Sequence, residues 1–146
     1  MCKITTFACM KILIINGPNL NLLGNRETDI YGSQKFDAYL ELLRDTFPEH
    51  NIDYFQSNVE GEIINKLHSA DGSYEGIILN AAGYTHTSVS IADAVKAIET
   101  AVVEVHISNI LSREHFRHVS LIGPHVKGSV IGFGLDSYRI AVLSFR

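Results

Sequence analysis

The 146-residue chain is long enough for one domain with a full core, and its 46% hydrophobic and 19% charged residues are ordinary for a globular protein. A formal charge of −4 leaves no basic field for nucleic acid. No apolar run approaches the roughly 18 residues that span a bilayer, so neither nucleic acid nor a membrane is expected as a partner. The two cysteines, Cys2 and Cys9, both precede the first apolar run. They cannot staple a core, which points to a reducing compartment, the cytoplasm.

Residues 1–9 show no sustained apolar stretch and no small-residue cleavage signal. They read as a disordered N-terminal extension ahead of a single domain at 10–146, with an added edge strand as the alternative. Residues 11–15 form a near-continuous apolar run, which suits a parallel strand covered on both faces. A helix over 33–47 follows from Phe36, Tyr39, Leu40, Leu43 and Phe47, which share one helical face, and Pro48 stops it. A second strand is predicted at 52–56. Ser57 and Glu60 then read as a capping box opening a helix whose buried face is Val59, Ile63, Leu67 and Ala70.

A third strand at 76–79 leads through a polar loop, 80–87, into a helix from Ser88 with Ile91, Ala94, Val95 and Ile98 inward. A fourth strand covers 101–107. A loop with a short helical turn runs over 108–119, a fifth strand covers 129–133, and Asp136 caps a last helix at 137–145. Alternation of strand and helix at these lengths requires crossovers and a parallel sheet. Five strands imply a flavodoxin-like three-layer α/β sandwich. Ligands of such sheets bind outside the carboxyl ends of the strands.

One connection is anomalous. Residues 16–32 join a strand to a helix, where about two to six residues are usual. Loops of this length tend to be lids or binding loops. This one carries Arg26 and Tyr31, and a guanidinium held near a phenol favours the phenolate. An ordinary tyrosine titrates near 10, so service as a base at neutral pH requires about 3–4 kcal/mol of preference for the charged form. The rival reading makes Tyr31 a packing residue and Arg26 a solvated one.

Three clusters fall at the same end of the sheet: Asn16, Asn19, Arg26 and Tyr31; then Asn80, Tyr84, Thr85, His86 and Thr87; then Glu104, His106, Ser108, Arg113 and Arg117. Together they hold a possible base, a possible acid, hydrogen-bond donors and fixed positive charge, the parts needed for proton abstraction beside a carbonyl. Glu104 and His106 share a strand face, where a carboxylate orients an imidazole and favours its protonated form. A structural ion pair is the plainer alternative. Asn16-Gly17-Pro18-Asn19 could be turn chemistry alone, and His86 a helix-capping residue. Arg113 and Arg117 lie one helical turn apart, so one of them could reach a pocket mouth. There is no C-x-x-C, H-E-x-x-H, P-loop or G-x-S-x-G pattern, and Gly132-Phe133-Gly134 lacks a third glycine. No metal or cofactor is expected.

Taken together, these motifs resemble the type II 3-dehydroquinate dehydratases, or type II dehydroquinases, over nearly all of 10–146. The matching segments are Asn16 through Gly24, Arg26-Glu27 and Tyr31-Gly32, then Tyr84 through Ser88 with Asp93-Ala94. Glu104 through Asn109, Arg113-Glu114, Phe116-Arg117 and Ile131 through Gly134 complete them. The resemblance implies a cofactor-independent hydro-lyase that converts 3-dehydroquinate to 3-dehydroshikimate by anti elimination through an enolate, in the shikimate pathway or in quinate breakdown. It implies Tyr31 as base, Arg26 as the lid cation that favours its phenolate, His106 as general acid and Glu104 as its orienting carboxylate. Asn19 would hold a water that stabilises the enolate. Asn80, His86, Arg117 and the backbone amides of Ile107 and Ser108 would bind substrate. Asp93 would reach a neighbouring subunit of a dodecamer, a tetramer of trimers. The chain departs from the family pattern at Ala81-Ala82-Gly83, Ile110-Leu111, His115 and Ser137, none of which removes a reacting side-chain type. A flavin- or mononucleotide-binding module and a catalytically dead homologue are the rival functions.

Overall fold

The computed structural model describes residues 8–25 and 27–145. Most of the expected extension at 1–9 lies outside the described residues, and so does Arg26. Cys9 is exposed and unbridged.

Five strands, β1 (Lys11–Asn16), β2 (Asn51–Gln56), β3 (Gly76–Asn80), β4 (Val102–His106) and β5 (Gly128–Ile131), form one all-parallel sheet in the order β2-β1-β3-β4-β5. Helices α1 (Thr28–Tyr31), α2 (Phe36–Thr46), α3 (Glu60–Ala70), α4 (Val89–Ala97) and α5 (Asp136–Leu143) complete the flavodoxin-like sandwich. Strand side chains alternate between faces, and the sequence exploits this. Ile12 and Ile14 of β1 pack with Phe36, Tyr39, Leu40 and Leu43 of α2 and with Tyr138 and Val142 of α5. Leu13 and Ile15, one residue out of phase, pack with Ile63 and Leu67 of α3 and Ile91 and Val95 of α4. Both strand faces are therefore apolar, which is why the run at 11–15 shows no polar alternation. Truncating a residue such as Leu43 or Ile63 to alanine would cost about 2–5 kcal/mol.

The connection after β1 runs to β2 on one side, and the connection after β3 runs to β4 on the other. The switch point thus lies between the carboxyl ends of β1 and β3, where Asn16 and Asn80 stand in register. The chains run so close there that a Cβ on Gly17 would meet the Ala81 carbonyl at 2.8 Å. No described helix is long and apolar enough to cross a membrane.

Several local expectations are corrected. The Ser57–Glu60 capping box does not form. Ser57 Oγ accepts from Val59 N at 2.9 Å and donates to Glu62, while Glu60 accepts from the Ser88 hydroxyl across the α3–α4 seam. Val59 consequently sits at the N-cap and is exposed rather than buried. Helix α2 begins at Phe36, three residues later than expected, and Ile98 is the C-cap of α4 and only partly buried. Asp136 opens α5 without capping it; its carboxylate pairs instead with Arg139, one turn on, at 2.6 Å. The loop at 16–32 carries two short turns, a 3-10 segment at Leu20–Leu22 and the single turn α1.

Candidate active site

Beyond the carboxyl ends of β1, β3 and β4 lies a cavity of about 190 Å³, smaller than pockets for drug-sized ligands and suited to a small metabolite. Asn19, Tyr31, Asn80, His86, His106, Ile107, Ser108 and Arg117 line it, so eight of the eleven residues singled out for the site meet there. Glu104 stands behind His106. Asp93 is exposed on α4 and does not line the cavity. Arg26 falls outside the described residues.

The imidazole half of the cavity is built on β4. Residues 104 and 106 project to the same face, and the pair is buried: Glu104 is 1% and His106 5% exposed. Glu104 Oε1 lies 2.7 Å from His106 Nε2. Two hydroxyls complete the carboxylate's shell, Ser120 Oγ donating to Oε1 and Ser129 Oγ to Oε2, each at 2.7 Å. Burial by itself would push the Glu104 carboxyl up. Hydrogen bonds from His106, Ser120 and Ser129, with the His106 charge, outweigh burial and hold it below the usual carboxylate range. The carboxylate fixes the imidazole at Nε2 and leaves Nδ1 for a ligand.

His86 stacks on His106 with ring centroids 6.1 Å apart. Its Nδ1 lies 2.7 Å from the Val119 carbonyl, which can only accept, so Nδ1 carries the hydrogen and Nε2 is the acceptor. Partial burial lowers the His86 pKa, and the charges of His106 and Arg117 add to this against the opposing Val119 hydrogen bond. The neutral imidazole is thereby favoured.

The phenol half of the cavity is built on the loop. Tyr31 ends α1, a single turn with no buried residue. Arg113 Nη1 donates to the Tyr31 hydroxyl at 2.7 Å and to Ser108 Oγ at 3.3 Å, and its guanidinium lies 5.5 Å from the centre of the Tyr31 ring. A cation donating to this oxygen stabilises negative charge on it. The sequence places Arg113 in the third cluster without giving it this partner. An arginine one turn before Arg117 is the available signal; only folding shows which of the two meets the phenol.

Backbone geometry marks the same place. Among the described residues, the non-glycine residues with φ in the left-handed region are Asn19 (68°), Glu27 (47°) and Ala82 (51°), and all three line the cavity. Such conformations collect at functional sites because tertiary contacts must hold them. Asn58 supplies one contact, its Oδ1 accepting from Asn19 N at 3.0 Å. Of the remaining second-cluster residues, Tyr84 and Thr87 donate to backbone carbonyls of Asn58 and Gly83, and Thr85 is buried. None of the three lines the cavity. Ser120, Ser129 and Asn58 escape sequence reasoning because isolated serines and asparagines carry no spacing signal.

No group of three or more His, Cys, Asp or Glu stands together as a metal site would need among the described residues. A phenol bound to a guanidinium and a carboxylate-held imidazole meet at one small cavity in an α/β sandwich, which is the build of an enzyme. The comparisons with known proteins agree. The family model "Dehydroquinase class II" matches residues 10–146. A 3-dehydroquinate dehydratase of Caldicellulosiruptor saccharolyticus is 51% identical over 139 residues, covering 93% of this chain and 96% of that protein. One from Campylobacter jejuni is 49% identical over 136 residues, covering 92% and 86%. The crystal structure of a type II dehydroquinase from Butyrivibrio crossotus superposes with a TM-score of 0.90 at 40% identity, covering 94% of this chain and 97% of that one. The chain belongs to the class II dehydroquinase family, and it is a hydro-lyase.

Proposed function

We propose that this protein dehydrates 3-dehydroquinate to 3-dehydroshikimate by anti elimination through an enolate, with 10–146 as one catalytic domain. The observation that carries the reading is the 2.7 Å bond from Arg113 to the Tyr31 hydroxyl, in the cavity that His106 also lines. Tyr31, as phenolate, removes the proton from the carbon beside the ketone, and the electron pair moves onto the ketone oxygen. Asn19 holds a water that stabilises this enolate. His106, oriented by Glu104, gives a proton to the departing hydroxyl as the enolate collapses and the carbon–oxygen bond breaks.

Arg113 and the loop cation Arg26 supply the positive potential that makes the phenolate tolerable. The substrate is held by Arg117, by the backbone amides of Ile107 and Ser108, by Asn80 and by the acceptor nitrogen of His86. Asp93, exposed and outside the lining of its own cavity, completes the site of a neighbouring subunit in a dodecamer built as a tetramer of trimers. The enzyme serves the shikimate pathway or quinate breakdown in the cytoplasm.

The test is direct. Purified protein mixed with 3-dehydroquinate should produce the ultraviolet absorbance of the conjugated enone, at the same rate with and without chelator. Tyr31→Phe should abolish it with the fold intact. Near wild-type turnover in that variant would sink the assignment of the base.

A further inference from the structure

Beneath the cavity floor runs a buried polar chain of which the reaction scheme uses only Asn80. Asn16 Nδ2 lies 3.5 Å from the Tyr54 hydroxyl. Tyr138 Oη donates to Asn16 Oδ1 at 2.7 Å, and Asn80 Nδ2 donates to Tyr138 Oη at 2.9 Å. Asn80 Oδ1 accepts from Ala82 N at 3.2 Å. Asn16 and Tyr138 are fully buried, and neither lines the cavity. The chain ties α5 to the switch point between β1 and β3.

Its direction follows from one backbone group. Ala82 N can only donate, so the amide oxygen of Asn80 must face it and the Asn80 nitrogen must face Tyr138. Tyr138 therefore accepts from Asn80 and spends its single hydrogen on Asn16 Oδ1. Asn16 in turn presents its nitrogen to Tyr54. Burial pushes the Tyr138 phenol well above the ordinary tyrosine value, which keeps that hydrogen in place. The second Asn80 N–H is left for a ligand. The same bonds hold Ala82 at its left-handed φ of 51°, the start of the 3-10 turn that carries His86.

We propose that Tyr138 is a positioning residue for substrate binding: its hydroxyl, itself oriented by Asn16, fixes the Asn80 amide so that it offers a donor to a substrate oxygen, and fixes the turn that presents His86. This rests on the reading that the cavity takes 3-dehydroquinate.

Tyr138→Phe keeps the ring and its edge-on packing against Phe36, at 5.0 Å between centroids, and removes only the hydroxyl. The expected result is a KM for 3-dehydroquinate raised about tenfold with kcat within about twofold, because the lost contact binds ground state and transition state alike. The double variant Tyr138→Phe with Asn80→Ala should be no worse than Asn80→Ala alone. Tyr54→Phe, cut from the far end of the same chain, should leave KM unchanged. Asn16→Leu removes the acceptor for the Tyr138 hydrogen and should raise KM like Tyr138→Phe; it serves if that variant does not fold.

An unchanged KM in the variant that folds, or additive effects of Tyr138→Phe and Asn80→Ala, would overturn the proposal. Wild-type protein that leaves 3-dehydroquinate unaltered would instead refute the proposed function. The crystal structure of Tyr138→Phe then decides separately: a second Asn80 rotamer supports the positioning role, and an unmoved Asn80 overturns it.

Discussion

The two halves of the catalytic cavity are built by opposite means. Glu104 and His106 lie on a central strand, almost wholly buried, and every carboxylate oxygen of Glu104 is engaged at 2.7 Å. Tyr31 lies on a loop turn that buries no side chain, flanked by the left-handed Glu27, and a bond from Arg113 anchors its hydroxyl. A strand fixes a side chain through sheet hydrogen bonds and packing on both faces. A loop fixes one through a few contacts. The proposed proton donor is thus held from several sides, whereas the proposed base rests on fewer contacts.

The largest effects should come from removing either proposed proton carrier. Tyr31→Phe and His106→Ala should each lower kcat by about a thousandfold or more without a large change in melting temperature. Equal loss from both would show that the chemistry needs the loop half no less than the strand half. Arg113→Ala should follow, lowering kcat by about a hundredfold. Added guanidinium ion should restore part of it; no loss at all would mean that the phenol does not depend on this cation.

Glu104→Gln should lower kcat by about tenfold and alter the response to acid. Sign follows from protonation: the Glu104 pKa is lowered by folding, so its contribution to stability is complete above the ordinary carboxylate range and is lost as pH falls toward the folded value. Its removal should therefore flatten the acid side of a melting-temperature profile. His86 acts at higher pH. Folding lowers its pKa as well, so the unfolded chain takes up a proton first, and stability should fall as pH drops below the ordinary histidine value. His86→Gln should remove that step. Smallest of all, Ser120→Ala or Ser129→Ala should cost about twofold to fivefold in kcat, since His106 and the other serine still hold the carboxylate. A hundredfold loss from either serine would show the strand half to be less secure than its burial suggests.

Much of this is legible in the chain itself. The fold class, the parallel character of the sheet and the core faces of α2 and β1 follow from apolar periodicity, because burial on both faces leaves a direct trace in composition. The Glu104–His106 pair is legible because a strand places i and i+2 on one side. The loop at 16–32 stands out by length alone. Local polar bonding is what the sequence does not yield. The spacing of Ser57 and Glu60 suits a capping box, yet Glu60 turns to Ser88, 28 residues away, because α4 packs against α3 and offers a nearer donor. Asp136 likewise takes the Arg139 guanidinium in place of a backbone N–H.

By itself the sequence determined the layers of this protein, the end of the sheet at which the cavity opens, and the types of group that gather there. Hydrophobic burial is non-directional and periodic, so one dimension suffices to encode it. Tertiary structure alone decided which arginine meets Tyr31, which serines hold Glu104, and which way the Asn16–Tyr138–Asn80 hydrogens point. Those choices depend on ångström-scale direction between groups brought together from distant parts of the chain, and no spacing along it records that.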